Sequence, residues 1–141
     1  MKYINILMLF IASLSFSQNW NTNFEDAKKM AEKKEQNVIL VFSGSDWCAP
    51  CIKLEKEVWS SQVFKNYAKE HYVLLKADFP RRKKNALHKD IQKQNNQLAE
   101  RYNKNGYFPL VVVLNKNGDV LGQVGYNKMK PEDYINVLNS F

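Results

Sequence analysis

The chain contains only two cysteines, Cys48 and Cys51, and they lie three positions apart. Residues at this spacing fall within one helical turn, so their sulfurs can come close enough to form a disulfide. A disulfide closing so short a loop removes little chain entropy, so stabilisation alone is a weak reason for the pair. A pair that opens and closes by attack of a thiolate is instead suited to thiol–disulfide exchange.

The residues around the cysteines predict where the pair sits in the fold. The continuous apolar run Val38–Phe42 predicts a buried strand, and residues 52–59 predict a helix. A cysteine between them faces unpaired backbone N–H groups and the positive end of the helix dipole. We therefore expect a thiol pKa below its ordinary range, which favours the reactive thiolate.

The remaining apolar patterns predict the elements that position the pair. Further strands are expected at residues 72–77, 110–114 and 120–124, and helices at 24–34, 62–70 and 85–103, with a last helix opened by Pro131. The polar run 115–119 predicts a hairpin turn. This order of helices and strands predicts a single α/β domain, in which a central mixed sheet is flanked by helices on both faces.

Residues 1–17 have the pattern of a secretory signal peptide. Lys2 precedes an apolar segment, and the small residues Ser15 and Ser17 suit a cleavage site near residue 17. A membrane anchor is the alternative, but the apolar run is shorter than the ~20 residues of a spanning helix. The prediction is a mature domain of residues 18–141 in the periplasm or outside the cell, where a disulfide can persist.

The chain is basic, with a formal net charge of +7. No nucleic-acid recognition motif accompanies this charge, so we expect a solvated basic surface and no nucleic-acid partner. Part of the charge lies in the polar stretch 81–96, which follows the second predicted buried strand at residues 72–77. This stretch is either a solvated elaboration or a rim that selects partners.

The sequence resembles the thioredoxin family over residues 24–141, nearly all of the predicted mature chain. The resemblance rests on Trp47–Cys51 after a buried strand, Pro109 at the start of a strand, the Asn117–Gly118 hairpin, and Gly125 before the last helix. It is greatest to exported thioredoxin-like proteins and to the C-terminal domain of the membrane thiol–disulfide interchange reductase. It implies the thioredoxin-like fold, thiol–disulfide oxidoreductase activity, and no cofactor or metal.

Family membership assigns roles by position. Cys48 would be the exposed attacking thiolate and Cys51 the buried resolving thiol. Pro109 would follow a cis peptide bond beside the sulfurs and present the backbone of Phe108 to an extended substrate. Trp47 and Phe108 would form an apolar surface that binds this substrate.

The two residues between the cysteines tune the redox chemistry. Pro50 stiffens the turn and offers no N–H group, and Ala49 adds neither charge nor hydrogen bond. This pair is close to the Gly-Pro of thioredoxin and favours a reductase of disulfides in exported proteins over a strong oxidase. The expected partners are protein disulfide substrates and a membrane or periplasmic thiol electron donor, and the protein is expected to be a monomer.

One departure from the family pattern affects proton transfer. Most thioredoxins have a buried Asp six residues before the first cysteine, where this chain has Phe42. Another group must then accept the proton of Cys51. Glu55, one turn further along the helix, is the first candidate, and Asp46 and Asp78 are weaker ones. Glu55 could equally be a solvated helix residue.

Two other functions compete with disulfide exchange. A copper-handling module is the first, because two thiolates suit a soft metal. Copper-handling relatives usually separate their cysteines by three residues and add a histidine, however, and zinc usually requires four protein ligands in a structural site. The second is a non-catalytic partner-binding domain whose disulfide is only structural.

Overall fold

A five-stranded mixed sheet forms the centre of the domain. The computed structural model describes residues 18–141, so the predicted signal peptide lies outside the described residues. The strands are β1 (Trp20–Asn21), β2 (Asn37–Ser43), β3 (Tyr72–Asp78), β4 (Leu110–Leu114) and β5 (Val120–Val124), in the spatial order β1-β3-β2-β4-β5. β1, β3 and β2 are parallel, whereas β4 is antiparallel to both of its neighbours. This architecture confirms the predicted mixed sheet.

Helices precede or follow the strands as the sequence predicts. They are α1 (Phe24–Lys34), α2 (Ala49–Leu54) with a π-helical turn (Glu55–Trp59), α3 (Gln62–His71), α4 (Lys89–Tyr102) after a 3₁₀ turn (Lys83–Asn85), and α5 (Pro131–Asn139). α4 begins four residues later than predicted, where the imidazole of His88 accepts a hydrogen bond from the N–H of Asp90. The prediction also missed β1, because a two-residue strand is too short to show an alternating pattern.

The sheet has a hydrophobic core on each face. Side chains alternate along β2, so Val38, Leu40 and Phe42 pack towards α1 and α4, whereas Ile39 and Val41 pack towards α2, α3 and α5. The predicted arrangement of helices on both faces is therefore confirmed.

Trp59 fixes the helix that follows the cysteines against the sheet. This side chain is 1% exposed, and its ring centroid lies 4.6 Å from that of Phe64, 5.5 Å from that of Tyr134 and 5.6 Å from that of Trp20. Trp59 thus lies in the core, whereas Trp20 is only half-buried at the edge strand. Because the π-helical turn ends in this aromatic cluster, α2 has a fixed position relative to β2.

Three segments meet at one edge of the sheet. Ser43 at the end of β2 is the register partner of Asp78 at the end of β3, and Phe42 pairs with Leu110 at the start of β4. The loop that carries the cysteines, the loop after β3, and the residues before β4 therefore share this edge. Within residues 18–141, no helix combines the length and apolar character needed to cross a membrane.

Candidate active site

Cys48 and Cys51 lie at the N-terminus of α2 and are joined by a disulfide. Cys48 is the residue that caps the helix, with extended backbone angles (φ −93°, ψ 102°). Its Sγ accepts a hydrogen bond from the backbone N–H of Cys51 at 3.3 Å. The position between a buried strand and a helix N-terminus is thus the one that the sequence predicts.

The expectation that Cys48 is exposed is wrong for this disulfide-bonded structure. Cys48 and Cys51 are each only 4% exposed. The capping conformation explains the difference, because it directs the Cys48 side chain back over the first turn of α2, towards the N–H of Cys51. The assignment of Cys48 as the attacking thiol stays a prediction.

Gly44 is a site residue that the sequence analysis missed. Its N–H donates to Cys51 Sγ at 3.5 Å, and its carbonyl accepts from the N–H groups of Cys48 (2.8 Å) and Trp47 (3.2 Å). A Cβ at this position would clash with the indole ring of Trp47. A glycine directly after a buried strand was the available signal, since it permits close approach of another group to the backbone.

Trp47 belongs to an aromatic rim, here meaning Trp47, Phe79 and Phe108. The indole Nε1 donates to the carbonyl of Phe79 at 2.7 Å, and the ring packs against Phe108 with centroids 5.4 Å apart. Phe79 and Phe108 are also 5.4 Å apart, and the guanidinium of Arg81 lies 3.7 Å from the centre of the Trp47 ring. Trp47 and Phe108 are half-buried, and Trp47 directly precedes Cys48; their role in binding substrate stays a prediction.

The segment before β4 is held by an amide that the sequence analysis also missed. Asn103 is 5% exposed; its Oδ1 accepts from the N–H of Tyr107 at 2.9 Å, and its Nδ2 donates to the carbonyl of Tyr107 at 2.8 Å. The peptide between Phe108 and the buried Pro109 is cis, as the resemblance implied. An asparagine at a helix end usually indicates only a cap, so no separate signal for this clamp was present in the residue pattern.

The two aspartates proposed as weaker proton acceptors are engaged by loop groups. Asp46 accepts hydrogen bonds from the N–H groups of Arg81 (2.9 Å) and Arg82 (3.0 Å) and from Asn85 Nδ2 (2.9 Å). These hydrogen bonds, that from Arg81 foremost, lower the pKa of Asp46 from 3.8 to about 2. Asp78 accepts from the N–H (3.0 Å) and the hydroxyl (2.5 Å) of Ser45. Both carboxylates thereby fasten the loops around the site.

Glu55 lies one turn beyond Cys51 and forms a salt bridge with Lys76. The Lys76 Nζ and Glu55 Oε2 atoms are 3.2 Å apart, and the Glu55 side chain is 46% exposed. A pair this exposed contributes little to stability, about 1 kcal/mol at most. Its partial exposure leaves the carboxylate accessible to a proton, and its role in accepting the proton of Cys51 stays a prediction.

The residues between the cysteines, Ala49 and Pro50, are exposed in the first turn of α2. Within residues 18–141, no three side chains of His, Cys, Asp or Glu are grouped so that they could hold a metal ion. Within these residues, a copper ion bound to the two cysteine sulfurs would have no third ligand of these types.

Replacing Asp46 with alanine is expected to loosen the loop of residues 80–85 and to speed tryptic cleavage after Arg81 and Arg82 several-fold. The same loosening is expected in the unaltered protein at low pH. Because the folded-state pKa is depressed, the carboxylate stabilises the loop above about pH 4, and this stabilisation is lost as the pH falls towards 2. Hydrogen exchange of the Arg81 and Arg82 amides would detect the change.

The matched control is Asp26→Ala, which removes an exposed aspartate from the first turn of α1. This variant should be cleaved at Arg81 and Arg82 at the same rate as the unaltered protein. If the Asp46→Ala variant is cleaved at the same rate as the unaltered protein, the loop does not depend on this carboxylate.

A family model described as thioredoxin-like matches residues 19–116. The chain therefore belongs to the thioredoxin-like family, as the sequence motifs predicted. Its disulfide between Cys48 and Cys51 at a helix N-terminus and its similarity to disulfide-exchange proteins make it a thiol–disulfide oxidoreductase.

Among the relatives is the disulfide bond reductase DsbH of Chlamydia pneumoniae. It is 28% identical over 118 residues, which cover 84% of this chain and 69% of DsbH. The thioredoxin-related protein DsbJ of the same organism is 24% identical over 127 residues, but the match spans only 36% of DsbJ.

Solved structures show the same fold. A DsbH oxidoreductase superposes with a TM-score of 0.81 at 27% identity, covering 88% of this chain and 83% of that one. The C-terminal domain of DsbD from Neisseria meningitidis has a TM-score of 0.56 at 15% identity, covering 82% of this chain and 90% of that domain. The second similarity supports the fold alone.

Proposed function

We propose that the protein reduces disulfides in exported proteins through Cys48 and Cys51. The observation that carries this proposal is the placement of the disulfide at the N-terminus of α2, where Cys48 Sγ accepts the N–H of Cys51. Similarity to a relative named as a disulfide bond reductase supports the direction of electron flow. The Ala-Pro sequence between the cysteines agrees with this direction.

In the reduced protein the Cys48 thiolate attacks one sulfur of a substrate disulfide. A bond forms between Cys48 and that sulfur, and the other substrate sulfur leaves as a thiolate and takes up a proton. Cys51 then loses its proton and attacks Cys48, which releases the first substrate sulfur as a thiol. Two electrons pass from the protein to the substrate, and an external dithiol must reduce the new Cys48–Cys51 disulfide.

Backbone N–H groups stabilise both sulfurs during this sequence. The Cys51 N–H and the positive end of the α2 dipole favour the Cys48 thiolate. The Gly44 N–H points at Cys51 Sγ and favours its thiolate in the second step. Most thioredoxins have a buried Asp at the position of Phe42. The Gly44 N–H replaces that carboxylate in part, because it stabilises the Cys51 thiolate but cannot accept the proton.

Substrate is expected to bind across the aromatic rim. Trp47, which directly precedes Cys48, and Phe108, which packs against it, present half-buried rings, and the buried Pro109 follows Phe108. Tyr107 and Ile52 add exposed apolar surface nearby in the sequence, with 58% and 50% of their areas accessible. Apolar surface of this kind suits a partly unfolded polypeptide, which exposes hydrophobic side chains around its disulfide.

An insulin-reduction assay with dithiothreitol as electron source tests the proposal. The unaltered protein should accelerate precipitation of the insulin B chain, whereas Cys48→Ser should match the rate of dithiothreitol alone. Inactivity of the unaltered protein would favour the non-catalytic binding domain. The redox state of the pair in cells, read by thiol alkylation, tests direction: a reductase should be held mainly reduced, and an oxidase mainly oxidised.

Replacing Glu55 with glutamine is expected to slow the second step, because the carboxylate would no longer accept the proton of Cys51. We expect a fall in turnover of about tenfold near neutral pH, with a smaller loss at higher pH, where hydroxide can remove the proton. The measurement is the pH profile of single-turnover decay of a mixed disulfide.

Glu57→Gln is the matched control, since Glu57 is also on the π-helical turn and accepts a hydrogen bond from Tyr126. It should leave the pH profile unchanged. If Lys76→Met lowers turnover as much as Glu55→Gln does, and neither variant changes the pH profile, the Glu55–Lys76 pair serves structure and not proton transfer.

Export and partners complete the proposal. A signal peptide at residues 1–17 would place the domain in the periplasm or outside the cell, where a membrane or periplasmic thiol protein would supply electrons to the monomer. Support comes from the sequence pattern and from similarity to Dsb proteins. N-terminal sequencing of the protein recovered from cells should begin near Gln18, and an intact N-terminus would contradict cleavage.

A further inference from the structure

A groove lined by cations lies beside the active site. It has a volume of about 520 Å³ and is formed by the segment after β3 and the first turns of α4. We call it the basic groove and define it by five exposed residues: Arg81, Arg82, Lys83, Lys89 and Lys93.

The positive charge of the basic groove is largely uncompensated. None of its five side chains forms a salt bridge with a carboxylate of residues 18–141. Two carboxylates oppose them: Asp46, which is bound by N–H groups of the loop and whose pKa Arg82 helps to lower, and Asp90, which follows Lys89 in the first turn of α4. A concave surface with five cations and so few opposing charges attracts an anionic ligand.

The backbone beneath the groove is held in place. Asp46 binds the N–H groups of Arg81 and Arg82, and Asn95, which is 1% exposed, donates to the carbonyl of Asp78 at 3.1 Å. Gln94 of the same helix joins α4 to the start of α1 through the N–H of Phe24 at 2.8 Å. These contacts fix the backbone that carries the cations. Ligand binding therefore costs less conformational entropy than it would in a mobile loop.

The basic groove is continuous with the redox site. Arg81 is one of its residues, and the Arg81 guanidinium stacks on Trp47, which directly precedes Cys48. A polypeptide that crosses the aromatic rim can therefore continue into the groove. Because Arg81 contacts Trp47, acidic residues that reach the groove would lie close to the reacting cysteine in the substrate sequence.

From these observations we infer that the basic groove binds an acidic segment of the substrate polypeptide that flanks its disulfide. This inference rests on the proposed function and adds the class of substrate. The concave shape and the contact with Trp47 favour a polypeptide over an anionic membrane surface. Charge complementarity would raise the rate of encounter and orient the disulfide towards Cys48.

The test uses disulfide-containing peptides of equal length whose flanking residues are acidic, neutral or basic. We expect kcat/KM for the acidic peptide to exceed that for the neutral one about tenfold at low salt, and the difference to shrink near 0.5 M salt, where charges are screened beyond ~4 Å. The triple variant Lys83→Gln, Lys89→Gln, Lys93→Gln should reduce acidic and neutral peptides at similar rates.

The matched control is Lys29→Gln, Lys33→Gln, Lys116→Gln, which removes the same charge from α1 and from the β4–β5 hairpin. It should keep the preference for the acidic peptide. Equal loss in both triple variants would assign the preference to net charge and overturn the inference. Binding of phosphatidylglycerol vesicles that requires the groove lysines, without any peptide preference, would also overturn it in favour of a membrane. Failure to reduce even the neutral peptide would instead contradict the proposed function.

Discussion

Replacing Cys51 with serine is expected to leave substrates covalently attached to Cys48 and to lower turnover on the order of 10³-fold or more. The first step needs only the Cys48 thiolate, whereas release of the substrate needs a second sulfur within reach. Serine at position 51 keeps the backbone N–H that donates to Cys48 but cannot resolve the mixed disulfide. Non-reducing gels and intact-mass measurement with a disulfide peptide would detect the adduct.

The control for this trap is Cys48→Ser, which should lose turnover to the same degree without forming an adduct. An adduct on Cys48→Ser but not on Cys51→Ser would reverse the assigned roles. The comparison is informative because both cysteines are only 4% exposed in the disulfide form. If neither variant forms an adduct, Cys48 is closed to substrates in the reduced protein as well.

Replacing Gly44 with alanine is expected to destabilise the protein by about 1–3 kcal/mol and to lower kcat/KM for disulfide reduction. The added methyl group would overlap the indole of Trp47, which cannot move without losing its hydrogen bond to the Phe79 carbonyl. Movement of the indole would also disturb its contacts with Phe108 and Arg81. Chemical denaturation measures the free energy of unfolding, and tryptophan fluorescence reports the displacement.

Gly125→Ala is the matched control for stability, because a Cβ there meets only the carbonyl of Pro109 at an ordinary 3.7 Å. It should change the free energy of unfolding far less than Gly44→Ala does. A double mutant with Trp47→Ala separates the two causes, since removing the indole removes the overlap. If alanine at position 44 is equally costly with and without Trp47, the overlap is not the reason for the glycine.

Residue pattern predicted most of the fold because its main signals are local. The apolar runs of β2 and β4 predicted buried strands, the Asn117–Gly118 turn predicted the hairpin, and Pro131 marked the start of α5. The start of α4 was misplaced because it depends on a single capping contact of His88. β1 was missed because its two residues are a strand only through pairing with β3.

The candidate active site was also predicted only in part from the sequence. The cysteine spacing, together with the strand before it and the helix after it, placed the sulfurs at a helix N-terminus. Sequence spacing could not reveal that Asp46 would bind residues 35 and 36 positions away, because that contact requires the β2 and β3 loops to meet. Nor could it reveal that Asn103 would clamp Tyr107, since the hydrogen bonds depend on the path of the chain after α4.

By itself the amino-acid sequence determined the reactive groups, the strand-to-helix junction that carries them, and the family, because these depend on residue type and short-range periodicity. Tertiary structure decided three other properties. They are the exposure of Cys48, the engagement of the Asp46 carboxylate by hydrogen bonds from a loop, and the formation of a groove against Trp47 by the basic segment. Those properties arise from contacts between residues distant in the chain, and their geometry is set only when the strand ends are brought together at one edge of the sheet.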